Sequence, residues 1–213
     1  MPTVHVDIWS DIACPFCYVG KRNFESAVAA SDVDVEVTYR SFQLSPDMPT
    51  DVSGTHAEML AAKMGVDVDT ARGMEARTTG LAREVGLDFD YEALHPANTL
   101  LAHRLLHLAK AHGLQGEMKE RLLAAYFTQG RHVGRLDELV DLAAEVGLDA
   151  TEVRAALTGD DYTADVEQDV AQAAAYGIRG VPFFVLDGRL AVSGAQPPEV
   201  FASALRQATE QVA

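Results

Sequence analysis

The sequence predicts an α/β fold in which a βαβ unit and a ββα unit share one sheet, with a large all-helical insertion between them. Three observations lead there. Apolar and polar residues alternate near both ends of the chain, which is the period of a strand. Between the ends the chain is Ala/Leu-rich and punctuated by glycines, the pattern of packed helices. Neither end alone holds enough strands for a stable sheet, so the two must pair. The chain divides accordingly into a sheet domain, residues 1–45 and 177–213, and a helical insertion domain, residues 46–176.

Residues 4–9 read as a strand with Val4, Val6 and Ile8 on one face. Residues 14–30 read as a helix, with Phe24 and Val28 at helical spacing. Over 33–42, Val33, Val35, Val37 and Tyr39 alternate with Asp34, Glu36, Thr38 and Arg40, a second strand. A helix between two such strands makes them a parallel pair. Ser45-Pro46-Asp47-Met48-Pro49 is a loop, and Thr55 with Glu58 forms a capping-box pattern at the start of the helical block. Glycine followed by an apolar residue recurs at Gly65-Val66, Gly86-Leu87, Gly113-Leu114, Gly147-Leu148 and Gly177-Ile178. This is helix-stop chemistry, and its unequal spacing argues against a solenoid. Residues 181–186 are a strand, Asp187-Gly188 a hairpin turn and 189–193 the return strand. Pro197-Pro198 opens a last helix to about Gln211.

Composition narrows the function. At 213 residues and 48% hydrophobic, the chain can bury a sizeable core. A net charge of −15 argues against nucleic acid as a partner, because phosphate contacts need basic patches. No stretch approaches the roughly 18 apolar residues of a membrane span. No basic segment followed by an apolar one precedes the first strand, so a cytoplasmic location is expected.

The two cysteines in the chain are both in Cys14-Pro15-Phe16-Cys17, between the first strand and the first helix. A C-x-x-C pair at a helix start is a redox motif, because unpaired N–H groups and the helix dipole stabilise a thiolate there. A zinc site would need further ligands. His103 and His107, four residues apart, are the best available, but Arg104 stands where a zincin has its glutamate. They read as helix-surface histidines, and no metal is expected. A purely structural disulfide would close a very short loop, where the gain is smallest. Cys14 is therefore expected to attack, with a lowered pKa, and Cys17 to resolve the mixed disulfide. Pro15 suits the first turn of the helix. Phe16, between the thiols, is expected to face the substrate groove, with core packing as the alternative.

Four motifs in order carry a resemblance. They are Asp11-Ile12-Ala13-Cys14-Pro15-Phe16-Cys17-Tyr18-Val19-Gly20, Phe42-Gln43-Leu44-Ser45-Pro46, Asn98-Thr99-Leu100-Leu101-Ala102-His103-Arg104 and Gly180-Val181-Pro182-Phe183-Phe184-Val185. The chain resembles the DsbA-like superfamily, in its FrnE-like branch, with kappa-class glutathione transferases and 2-hydroxychromene-2-carboxylate isomerases as relatives. The resemblance implies a thioredoxin fold (βαβ … ββα) with a large helical insertion. It implies a thiol–disulfide oxidoreductase or isomerase acting on protein or small-molecule disulfides and thiols. No cofactor is implied beyond the Cys14–Cys17 disulfide, with glutathione as an optional co-substrate and a homodimer as an optional assembly.

Residue roles follow from the same resemblance. Pro182 matches the family's cis-proline, and Val181 would offer its backbone to an extended substrate, as in β-augmentation. Pro15 and Phe16 would border the substrate. Asp7, in Asp7-Ile8-Trp9, resembles the acid preceding thioredoxin's active site, a candidate proton relay for Cys17; its alternative is an ordinary strand-end carboxylate. Asn98, Thr99 and Arg104 would support the site, or serve only as helix cap and ion-pair partner. The transferase and isomerase relatives carry serine at the position of Cys14, so the intact thiol pair favours redox chemistry. Ser193-Gly194-Ala195-Gln196 lacks the acid that would hold glutathione's ammonium. A glutathione-dependent transferase or isomerase is the alternative function. A redox-sensing binding or chaperone module is the second.

Overall fold

The alternation in the first strand organises the molecule. In the computed structural model, which describes residues 3–210, β1 (Val4–Ser10) is central in a four-stranded sheet of order β2-β1-β3-β4. β2 (Val35–Ser41) runs parallel to β1, joined to it through α1 (Pro15–Ala29). β3 (Phe183–Leu186) lies antiparallel on the other side of β1, and β4 (Leu190–Ser193) pairs antiparallel with β3. The last helix, numbered α9 in chain order, is Pro198–Glu210; Gln211, its expected end, lies outside the described residues. Between β2 and β3 come α2 (His56–Met64), α3 (Val68–Glu84), α4 (Leu100–Ala111), α5 (Gln115–Thr128), α6 (Leu136–Glu145), α7 (Ala150–Thr158) and α8 (Thr163–Ala175). This is a thioredoxin fold with an all-helical insertion.

Because β1 side chains alternate, Val4, Val6 and Ile8 face one core and Trp9 the other. On the first face they meet Phe24 of α1, Phe184 of β3, and Phe201 and Leu205 of α9. Burying each of these aromatics is worth about 1.5–3 kcal/mol. On the second face Trp9 packs with Ala173, Ile178 and Val185 and donates its indole N–H to the Asp169 carbonyl at 3.0 Å. That bond seats α8 against the sheet. The insertion has its own larger core, which extends to Ile12, Tyr18 and Val19 around α1.

Sequence signals account for the element ends. Thr55 and Glu58 close a reciprocal capping box on α2. At all five glycine stops the glycine has φ between 67° and 95°. The following residue donates its N–H to an alanine carbonyl five residues back, for example Leu114 to Ala109 at 2.8 Å and Ile178 to Ala173 at 2.9 Å. Asp187 and Gly188 both have positive φ, as the hairpin turn requires. β3 begins at Phe183 rather than Val181, since Pro182 has no N–H to give the ladder. Among the described residues no helix is long and apolar enough to cross a membrane.

Arg104, expected near the site, instead ties helices together. It is 5% exposed. Its guanidinium donates to the carbonyls of Ala156 (2.7 Å), Leu157 (3.5 Å), Gly159 (2.6 Å) and Asp161 (2.7 Å). These belong to the C-terminal turn of α7 and the connection to α8, where carbonyls lack helical partners. Replacing Arg104 with Met is expected to lower unfolding free energy by roughly 3 kcal/mol, because buried carbonyls are left unsatisfied. Urea titration tests it; a loss below about 1 kcal/mol would show that the carbonyls find other donors.

Candidate active site

β1 ends at Ser10, and the chain turns through Asp11 and Ile12 before entering α1. Cys14 is the N-cap of that helix, with extended backbone (φ −100°, ψ 111°), and Pro15 is its first residue. The cap position leaves the first helical N–H groups facing the sulfurs, and the Cys17 N–H bonds the Cys14 carbonyl at 3.0 Å. Both cysteines are free thiols, each 3% exposed. Phe16 is 44% exposed and turned outward, on the groove side. The Val181-Pro182 peptide is cis. Cys14 Sγ donates to the Val181 carbonyl at 3.4 Å, so the loop before β3 borders the attacking position. α1 approaches this loop through Gly20; a Cβ there would come within 2.9 Å of Pro182 Cγ.

Asp7 has a different partner from the one expected. It lies on the Trp9 side of β1, where Arg40 holds its carboxylate at 2.7 Å. The acid beside the thiols is Asp11, 1% exposed. Its Oδ2 accepts the Leu44 N–H at 2.8 Å and its Oδ1 lies 3.2 Å from His103 Nε2, with Thr99 a further donor. Burial alone would raise the Asp11 pKa; these donors outweigh it and hold the carboxyl below its ordinary value. His103 is fully buried, and burial outweighs Asp11's attraction and keeps the imidazole pKa below its usual value. At neutral pH the contact is therefore a neutral Nε2–H donating to a carboxylate.

His103 and His107 are thus interior residues, correcting their reading as surface histidines. His107 Nε2 sits 3.1 Å from Ser41 Oγ and 3.1 Å from Asp169 Oδ2. Among the described residues no group of three or more His, Cys, Asp or Glu side chains is placed to hold a metal ion.

Of the Asn98 motif, Thr99 reaches the site. Asn98 acts one step away. Its Nδ2 donates to the carbonyls of Pro46 (2.9 Å) and Met48 (2.8 Å), and its Oδ1 accepts the Leu100 N–H at 2.8 Å. It ties the loop at residues 46 and 48 to the first residue of α4.

Two further groups sit behind the thiols, Ser10 and Lys119, and neither stood out in the sequence. The hydrogen bond to Cys17, then burial, push the Cys14 thiol well above its ordinary pKa. Burial acts against Cys17 as well, but the Cys14 hydrogen bond, the Lys119 charge, the Ser10 hydroxyl and the Asp11 backbone N–H outweigh it and lower its pKa. Proton affinity is thus raised at Cys14 and lowered at Cys17, so of the two sulfurs it is Cys17 whose charge the surroundings favour. The direction at Cys14 is opposite to the lowered pKa expected for it. The helix dipole acts on both sulfurs, and the buried lysine selects the inner one.

Access selects the outer one. Cys14, not Cys17, opens on a largely apolar cavity of about 680 Å³ between α1, the Val181 loop and the α2–α3 pair. Four of the chain's six methionines, Met48, Met59, Met64 and Met74, line it.

Residues 5–206 match the DSBA-like thioredoxin domain. The chain belongs to the DsbA-like thioredoxin family. A probable DsbA oxidoreductase of Streptomyces coelicolor is 43% identical and superposes with a TM-score of 0.92, over 97% of this chain and 90% of that one. YwbO of Bacillus subtilis (strain 168), an uncharacterized protein, is 30% identical over 95% of this chain and 96% of its own. A cytosolic disulfide reductase of Pseudomonas aeruginosa, DsbM, shares the fold at 19% identity, with a TM-score of 0.65 over 100% of both chains. DsbA-like proteins act on thiols or disulfides, and the free Cys14–Cys17 pair is the matching chemistry here.

The Asp11–His103 contact makes stability pH-dependent. Both groups have depressed folded-state pKa values, so each contributes stability above its unfolded value that is lost as pH falls. The His103 contribution is expected to fade below pH 6.5 and that of Asp11 below 3.8. Chemical denaturation at a series of pH values should show stability falling in both windows, and His103→Gln should shrink the upper one, leaving the part that belongs to His132, whose pKa burial also lowers.

Proposed function

We propose that this chain is a cytoplasmic thiol–disulfide oxidoreductase of the FrnE-like branch, exchanging disulfides with protein or small-molecule thiols through Cys14 and Cys17. The observation that carries the reading is the division of labour between the sulfurs. Cys14 borders a substrate-sized apolar cavity, and Cys17 lies behind it against a buried cation.

Attack begins when the Cys14 S–H turns from the Val181 carbonyl to Cys17. The Cys14 proton passes to Cys17, and the Cys14 thiolate attacks one sulfur of a substrate disulfide. The other substrate sulfur leaves as a thiolate and takes up a proton. Cys17 then gives its proton to the second departing substrate sulfur and attacks Cys14 Sγ, closing the enzyme disulfide. Two electrons have moved from the enzyme sulfurs to the substrate. Val181 offers its backbone to the extended part of the substrate, and Phe16 with the methionine-lined wall receives apolar groups, since thioethers adapt to varied shapes. Glutathione fits as a small co-substrate rather than a held ligand: Gln196, in the stretch that would cradle it, spends its side-chain amide on the Ser193 carbonyl at 2.8 Å. All the groups named come from one chain, so a homodimer is not required to complete the site.

Equilibration of the Cys14–Cys17 pair in glutathione redox buffers tests the reading. A potential between about −180 and −120 mV marks an oxidant or isomerase, and one near −270 mV a reductase. Cys14→Ser should abolish exchange with folding unchanged. Cys17→Ser should accumulate a mixed disulfide with substrate, visible by mass. Failure of the wild-type pair to equilibrate would sink the proposal. Retained exchange in Cys14→Ser would overturn the role of Cys14.

A further inference from the structure

Among the described residues two buried side-chain nitrogens have no hydrogen-bond partner, Nδ1 of His103 and Nζ of Lys119. Lys119 is 1% exposed on the inner face of α5. It directly precedes Glu120, whose carboxylate binds Tyr18 and Lys21 of α1 at 2.6 Å each, so α5 is fixed against the helix that carries the cysteines. The ammonium lies 5.7 Å from the centroid of the Tyr39 ring on β2. An aromatic face steadies a cation but accepts no proton from it.

A buried ammonium without an acceptor is costly and tends to become neutral unless a charge compensates it. The titratable and charged groups facing Lys119 are Cys14, Cys17 and Lys21 of α1, Asp11 of the preceding loop, Tyr39 of β2, and His103 of α4. Burial lowers the proton affinity of Lys119. Among the charges that oppose this, Cys17 acts most strongly, ahead of Asp11 and Cys14, while Lys21 acts with burial. Asp11 is already committed to Leu44, His103 and Thr99. The thiolate is therefore the main support of the buried charge, and disulfide formation removes it.

We propose that Lys119 is the proton store of the redox pair, an ammonium while Cys17 is a thiolate and a neutral amine once the disulfide closes. This rests on the redox reading above. The balance is complete. The reduced state holds one proton on Cys14 and one on Lys119, with a thiolate at Cys17. Reducing a substrate disulfide transfers two electrons and both protons, giving two substrate thiols, the enzyme disulfide and an uncharged amine. The buried site is electrically neutral before and after.

The test compares wild type, Lys119→Met and Lys119→Arg in glutathione redox buffers, with thiolate absorbance followed against pH. Lys119→Met should reduce the Cys17 ionisation constant at least tenfold. It should shift the redox equilibrium tenfold toward the disulfide, about 30 mV more negative. Lys119→Arg should restore most of the ionisation, since it restores the charge. In wild type labelled with ¹⁵N-lysine, the chain's four lysines make assignment direct. The Lys119 Nζ resonance should change from charged to neutral on oxidation, a readout that stands even if the variants fail to fold. An unchanged ionisation and equilibrium in Lys119→Met, or an Nζ that stays charged in both redox states, overturns the inference while leaving disulfide exchange intact. A wild-type pair that never equilibrates with glutathione removes both.

Discussion

A carboxylate buried to 1% exposure must collect donors or lose its charge, and the donors that Asp11 collects come from widely separated parts of the chain. Leu44 lies just beyond β2, and Thr99 and His103 lie on either side of the start of α4. Satisfying this one group therefore brings the end of β1, the loop after β2 and the first helix of the insertion's larger core to one point. Cys14 follows three residues later. The position of the thiols relative to the methionine-lined wall is a consequence of how that charge is neutralised. The neighbouring loop is held in the same economical way, with Asn98 accepting the N–H of Leu100 at one end of its amide and tethering residues 46 and 48 through the other.

The two sulfurs share the helix N-terminus and the same degree of burial yet differ in their neighbours. One borders the substrate space and a backbone carbonyl; the other faces a hydroxyl, an amide N–H and a buried ammonium. Burial disfavours charge on both, so the preference between them is decided by which neighbours can donate or compensate. Those neighbours come from several parts of the chain. The outer side belongs to the cis-proline loop, and the inner cation arrives from α5.

Much of the fold could be read from residue patterns because it rests on local rules. The alternation of Val4, Val6 and Ile8 fixed the faces of β1, the glycine–apolar pairs marked helix ends, and Asp187-Gly188 marked the hairpin. The C-x-x-C pair was legible for the same reason. The polar groups around it were not. Strand parity puts Asp7 on the Trp9 side, and beyond Ser10 the chain leaves the strand, so no periodicity says where Asp11 points. His103 looks like a surface residue because burial of an imidazole depends on an acid 92 residues away in sequence. Lys119 did leave a trace. It falls in one helical row with Gln115, Leu122 and Tyr126, all buried, and a lysine in such a row signals a buried charge. Its function depends on what it faces across the core, which no local pattern carries.

The helical insertion is more than a cover on a self-sufficient redox module. A shortened chain that joined residue 45 directly to residue 177 would retain both thiols, the sheet and Pro182. It would strand Asp11 without His103 and Thr99, empty the space behind Cys17, and remove most of the apolar wall in front of Cys14. Much of the electronic and steric control of the cysteines thus belongs to the part of the chain that contributes no cysteine, and the two segments can diverge only together.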